Sequence, residues 1–185
     1  SWINLFITLD LENIMVVWLI GLSGSGKTTL AQKIVSEVKK EKQNVILIDG
    51  DVIREIFGND LGYSTEDRFL NAQRISRLCK LLDSQGINVV CAILSLFPKT
   101  RKWNRENIEN YYEVFIDTPI DLLAERDSKG IYKRYLNGEI DNVAGMDLNF
   151  KAPNHSNLVI DNSHTKSYLL SFSKKIINKI IASSD

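Results

Sequence analysis

VVWLIGLSGSGKTTL, Val16 to Leu30, decides how the rest of the chain reads. VVWLI is an apolar run of strand length, and a helical pattern begins at Lys27. Between them GLSGSGKT fits G-x-x-x-x-G-K-[ST], a phosphate-binding loop set between a strand and a helix, where such a loop works. Its glycines let successive N–H groups curl inward toward phosphate oxygens. The helix N-terminus adds its positive end. Lys27 supplies charge for the outer phosphates, and the Thr28 hydroxyl is a ligand for Mg²⁺. The predicted phosphate-binding set is Gly21, Ser23, Gly24, Ser25, Gly26, Lys27, Thr28 and Thr29. The loop alone does not separate kinase, GTPase and ATPase.

Outward from the loop, apolar runs alternate with helical patterns. The strands expected are VVWLI, VILID (Val45 to Asp49), INVVCAIL, YYEVFID and LVID. The helices expected are Lys27 to Lys42, Asp51 to Phe57, Thr65 to Ser84, Lys99 to Asn110, Pro119 to about Arg126, and Lys166 to Ile181. Asp127 to Pro153 shows little periodicity. Near-continuous apolar strands separated by helices predict a parallel sheet covered on both faces, an α/β fold.

The chain has 185 residues, 44% of them hydrophobic and 25% charged, enough for one domain with a substantial core. Basic and acidic residues balance at 23 each, which argues against nucleic acid as a partner. No apolar run has the length of a membrane span. Cys79 and Cys91 lie in apolar patterns and read as buried thiols, which suits a reducing, cytoplasmic setting. Ser1 to Ile14 reads as an N-terminal extension before a start at Met15, without the basic region or cleavage site of a signal peptide. An extra edge strand and a dimer contact are the alternatives for it.

In open parallel sheets ligands lie beyond the carboxyl ends of the strands. LIDGD puts Asp49 and Asp51 there, beside the phosphate loop. One carboxylate can take a proton from an attacking hydroxyl while the other orients Mg²⁺ through water. Asp51 also reads as an N-cap for VIREIF. In the next helix Arg68, Asn71 and Arg74 recur every three residues on one face, which reads equally as an anion-binding row or a solvated charged face.

With these segments in view the chain resembles the adenylyl-sulfate kinases, which use MgATP to phosphorylate the ribose 3′-hydroxyl of adenosine 5′-phosphosulfate. GLSGSGKTT, DGDVIR, LGYSTEDRFLNAQRI, AILS, FIDTPIDLLAERDSKGIYKR, GEI, AGMD and KAP carry the likeness in order and spacing, from about Val16 to Asp161. The resemblance implies a three-layer phosphate-loop kinase with a mainly parallel five-stranded sheet, a domain over residues 15–185 and a lid over about 128–153. It implies ATP and Mg²⁺ as cofactors, a small-molecule nucleotide as acceptor, and a homodimer. Asp49 resembles the family's catalytic base, working with Lys27. Arg54, Arg68, Asn71 and Ser95 resemble its acceptor-binding residues, joined in that pocket by Asp51, Lys129 and Val143. Tyr63 stands where the family has a Phe that stacks on the acceptor base. Arg126, Lys129 and Gly130 belong to the RDSKG lid, where the Arg resembles one near ATP.

Two departures bear on the acceptor. The family's ISPYR is LSLFP here: Leu96 replaces the proline, Phe97 is the aromatic, and Pro98 replaces the arginine. The family's F-T-G-I-D is V-A-G-M-D, so Val143 replaces the second aromatic of the base sandwich. An adenine losing one of two stacked rings gives up about 1 kcal/mol or more. A relative that phosphorylates cytidine diphosphoramidate suits a pocket of this kind, with a smaller base. Two further readings stand beside the kinase: a nucleotide-binding module without catalysis, and a small-metabolite kinase, which leaves DGDVIR, STEDR and RDSKGIY together unexplained.

Overall fold

The computed structural model describes residues 14–41 and 44–182. Five strands, β1 (Val16–Ile20), β2 (Val45–Asp49), β3 (Asn88–Ile93), β4 (Tyr111–Asp117) and β5 (Leu158–Asp161), form one sheet in the order β2-β3-β1-β4-β5. Every pairing is parallel. This is the α/β architecture expected from the sequence. The reading of Ser1 to Ile14 as an extension lies outside the described residues, apart from Ile14, which is buried.

Strand side chains alternate between faces. Val17 and Leu19 of β1 enter one core, and Val16, Trp18 and Ile20 enter the other. Both faces are covered, so the strand reads as an unbroken apolar run. The first core is closed by α1 (Lys27–Val38), α7 (Lys166–Ser171) and α8 (Ser173–Ile181), through Leu30, Ile34, Leu169, Ile176 and Ile180. The second is closed by α2 (Gly50–Ile56) and α3 (Thr65–Ser84), through Ile53, Ala72, Ile75 and Cys79. Each such Leu or Ile, fully buried, contributes about 1.5–3 kcal/mol relative to exposure. Cys79 and Cys91 are both buried and unbridged. Burial and the neighbouring Cys79 push the Cys91 thiol up, so it stays protonated and inert.

Helix ends follow local chemistry. Ser64 Oγ caps α3 by accepting from Asp67 N at 3.1 Å. Pro98 opens α4 (Pro98–Asn107) at its first position, where a missing N–H costs nothing. α1 ends at Val38 rather than Lys42, which lies outside the described residues: Lys40 N–H turns back to Glu37 O at 3.1 Å. The single C-terminal helix expected from Lys166 to Ile181 is two, because Phe172 N–H bonds only three residues back, to Leu169 O.

Beyond β4, α5 (Ile120–Arg126) leads into the segment without periodicity. It holds a short α6 (Ile131–Leu136) and a small bridge, Ala144 to Leu148. Leu123, Tyr132 and Val143 bury one another beneath it, a third apolar cluster above the sheet's end. Too few residues share one face in sequence for a period to show there. Among the described residues no helix is long and apolar enough to cross a membrane.

Candidate active site

A cleft of about 870 Å³ opens at the carboxyl ends of β1, β2 and β3. The phosphate loop forms its floor. Gly24 (φ +78) and Gly26 (φ +88) take left-handed conformations that a side chain resists. A Cβ on Gly26 would also stand 2.5 Å from Leu169 Cδ2. The loop's carbonyls are engaged from outside it. Tyr132 Oη donates to Ser23 O at 2.8 Å, and buried Asn162 donates through Nδ2 to Ser25 O at 2.9 Å. The first N–H groups of α1 lack intrahelical partners and face the cleft as anion donors.

Lys27 Nζ donates to Leu22 O at 2.8 Å, within its own loop. Burial, with Lys129 nearby, lowers its pKa to about 8, although Asp49 and Asp51 pull the other way. Asp49 does two jobs at the end of β2. Its Oδ1 accepts from Asp51 N at 2.9 Å and caps α2, while its Oδ2 accepts from Thr28 Oγ1 at 2.7 Å. The capping role that the sequence offered to Asp51 therefore belongs to Asp49. Asp51 instead accepts from Lys129 Nζ at 2.7 Å across the cleft. Burial would raise the Asp51 carboxyl, but the Lys129 bond and charge outweigh it and hold the carboxyl below its ordinary range. Asp51 in turn holds the Lys129 amine above its ordinary value against the effect of burial.

A smaller hollow continues from the cleft between α3 and the end of β3, lined by Arg54, Asn71 and Ser95 together with Asp51, Tyr63 and Arg68. Arg54 is buried and donates to Gly62 O at 2.7 Å. Arg68 donates through Nε to Tyr63 O at 2.9 Å and through Nη2 to Asn142 O at 2.8 Å, pinning the segment after α6 to α3. The Tyr63 ring, 56% exposed, lies under both guanidinium groups, 4.7 Å from Arg54 Cζ and 5.2 Å from Arg68 Cζ. Asn71 Oδ1 is buried with no partner among the described residues, an acceptor held toward this wall. Arg74 does not join the row: it pairs with Asp60 at 2.8 Å and lies over Phe57.

The structure thus brings together Ser23, Gly24, Gly26, Lys27, Thr28, Thr29, Asp49, Asp51, Lys129 and Val143 on the main cleft, and Arg54, Tyr63, Arg68, Asn71 and Ser95 around the hollow. Gly21 and Ser25 sit beneath the loop rather than on the wall. Arg126 stands apart and donates to His164 O at 2.9 Å, just past β5. Tyr132 and Asn162 were not read as site residues. Tyr132 lies within the GIYKR stretch and Asn162 directly after LVID, but only the folded chain shows their reach to loop carbonyls 109 and 137 positions away. Thr28 and a carboxylate suit Mg²⁺, which prefers oxygen and is held by one or two protein ligands plus phosphates and water. Among the described residues no cluster of three or more His, Cys, Asp or Glu could hold a metal by itself.

Comparison with known proteins shows the family. The family model for adenylylsulphate kinase matches residues 13–161. The cytidine diphosphoramidate kinase of Campylobacter jejuni is 40% identical over 152 residues, 82% of this chain and 88% of that protein. The adenylyl-sulfate kinase of Pseudomonas aeruginosa is 40% identical over 148 residues, 79% of this chain and 76% of its own. Among solved structures, the APS kinase of Mycobacterium tuberculosis in complex with AMPPNP and APS superposes with a TM-score of 0.83 at 28% identity, covering 91% of this chain and 98% of that one. With its phosphate loop, its five-stranded parallel sheet and a family match over most of its length, the chain belongs to the adenylylsulphate kinase family.

Proposed function

We propose that the chain is an ATP-dependent kinase that transfers the terminal phosphoryl group of ATP to the ribose 3′-hydroxyl of adenylyl sulfate. The observation that carries this is the placement of Asp49. Its carboxylate lies at the end of β2, bonded to Thr28 of the phosphate loop at 2.7 Å, on the cleft that leads to the Arg54, Arg68 and Asn71 hollow. The donor's phosphates lie along the loop and the acceptor lies in the hollow, so the two meet at Asp49.

Phosphoryl transfer depends on in-line positioning and on neutralising charge over the moving group. The loop amides, Lys27 and Lys129 supply that charge. Asp49 accepts the proton of the attacking 3′-hydroxyl as the O–P bond forms and the bond to the leaving ADP oxygen breaks. Arg54 and Arg68 hold the acceptor's anionic end, and the exposed Tyr63 face takes its base. Thr28, with Asp51 through water, would hold Mg²⁺, which would neutralise charge on the outer phosphates. Residues 128–153 act as a lid. Tyr132 and Lys129 fasten it to the loop and to Asp51, which excludes water from the transfer. A cytoplasmic setting and a homodimer complete the reading.

A second acceptor, cytidine diphosphoramidate, is favoured by Val143. It is 5% exposed and presents an aliphatic wall where an adenine sandwich calls for a ring. The Campylobacter jejuni relative, 40% identical, is a kinase for that compound. The test is ADP release with Mg²⁺, comparing the two acceptors by kcat/KM. Preference for adenylyl sulfate supports the first acceptor and preference for the cytidine compound the second. Turnover of neither, with ATP still bound, contradicts both.

A further inference from the structure

Ser95 follows the end of β3 with φ +55, a left-handed conformation that an L side chain takes only when its surroundings hold it there. Two buried side chains do so. Trp18 Nε1 donates to Ser95 Oγ at 3.0 Å, and Arg101 Nη1 donates to the Ser95 carbonyl. Arg101 is 3% exposed, and neither it nor Trp18 lines the hollow. Both therefore act from behind the wall.

The consequence falls on the next residue. No peptide bond in the described chain is cis, so the Leu96 N–H points opposite to the Ser95 carbonyl that Arg101 engages. That N–H has no partner among the described residues, and Leu96 lines the hollow beside Arg54, Asn71 and Ser95. A guanidinium on the carbonyl polarises the same peptide and strengthens its N–H as a donor. The Ser95 hydroxyl, having accepted from Trp18, keeps its own proton to donate. Behind them Glu113, fully buried, bonds Arg105 at 2.9 Å and acts through space on Arg101.

We infer that the Leu96 N–H is an acceptor-binding group, presented by Ser95 and held in place by Arg101 and Trp18 as positioning residues, and that it receives an oxygen of the acceptor's anionic group. The resembled pattern has a proline at this position, without an N–H, and an arginine two residues on. This chain has Leu96 and Pro98, so a backbone donor stands in for the missing cation. The inference rests on the nucleotide-acceptor reading above.

The test compares Leu96→Pro, which deletes the N–H, with Leu96→Ala, which keeps it. Steady-state constants are measured for the acceptor that the wild type turns over and for ATP. Leu96→Pro is expected to raise the acceptor KM tenfold or more with the ATP KM within twofold, while Leu96→Ala leaves both near wild type. Arg101→Lys, which keeps the charge but loses the planar fork, is expected to show the same split and reads it if Leu96→Pro does not fold. Equal constants for Leu96→Pro and Leu96→Ala overturn the inference. So does a rise in both KM values together for Arg101→Lys, which marks a structural role only. A wild-type chain that phosphorylates no nucleotide acceptor overturns the function and this inference with it. An active wild type with unmoved variants overturns this inference alone.

Discussion

Thr28 Oγ1 lies 2.7 Å from Asp49 Oδ2, joining the start of α1 to the end of β2. In the proposed function this bond ties the Mg²⁺ ligand to the base, so donor and acceptor chemistry share one fixed point. Asp49→Asn separates charge from geometry. An asparagine still accepts from Asp51 N and caps α2. The expected result is a 10²- to 10⁴-fold fall in kcat, the usual range for a lost general base, with the thermal midpoint within a few degrees of wild type. Near-normal turnover in Asp49→Asn with loss in Asp51→Asn would move the base to Asp51.

Lys129 and Asp51 pair at 2.7 Å with both side chains more than half exposed. Exposed pairs contribute about 0–1 kcal/mol. Lys129→Met should therefore leave stability almost unchanged in a thermal melt. If Lys129 instead meets the transferring phosphoryl group, kcat falls tenfold or more. An unchanged kcat would make the pair a surface contact only.

The Lys27 amine, with its pKa lowered from 10.5 to about 8, loses its proton around pH 8 rather than above pH 10. Burial disfavours its charged form in the folded chain, so this residue costs stability below pH 8, and the cost fades as pH rises from about 8 toward 10.5. The phosphates of ATP reverse the preference and draw the proton back. Titration calorimetry at pH 8 in buffers of different ionisation enthalpy should show uptake of about half a proton per ATP bound. ATP affinity should weaken above that pH. Binding without proton uptake, and with flat affinity from pH 7 to 9, would show that Lys27 does not meet the phosphates.

Val143 packs with Leu123 and Tyr132 and lines the cleft. Val143→Phe restores a ring at the base wall. Aromatic pairing of about 0.5–1.5 kcal/mol predicts a two- to tenfold gain in kcat/KM for adenylyl sulfate relative to the cytidine compound. Overpacking lowers the thermal midpoint at the same time, at a cost of about 1–3 kcal/mol. An unchanged acceptor ratio would remove Val143 from base selection.

The strands and the phosphate loop were legible because their signals are local. VVWLI is an unbroken apolar run, VILID and LVID are apolar up to a final Asp, YYEVFID is interrupted only by Glu113 before its own final Asp, and G-x-x-x-x-G-K-T fixes its own context. The position of DGD put Asp49 at the cleft; the row of Arg68, Asn71 and Arg74 read equally as an anion site or a solvated face, and the structure lines the hollow with the first two and turns Arg74 to Asp60. The supports were not. Trp18 reads as core because it is core, and its Nε1–H finds Ser95 only across 77 residues. Arg101 reads as one of several cations in a helix until folding buries it against a carbonyl six positions back. The break at Phe172 turns on one bond of three residues, and α6 is only six residues long; both are too short for a period to show.

The most direct test of the central claim is the position of the transferred phosphate. Wild-type chain is incubated with MgATP and adenylyl sulfate or cytidine diphosphoramidate, and the product is read by phosphorus NMR, with a 3′-deoxy acceptor in parallel. A new monoester phosphorus coupled to the ribose 3′ proton, absent with the 3′-deoxy compound, is the predicted result. Phosphate appearing at another oxygen, in the 3′-deoxy product, or only as free phosphate beside ADP would contradict it.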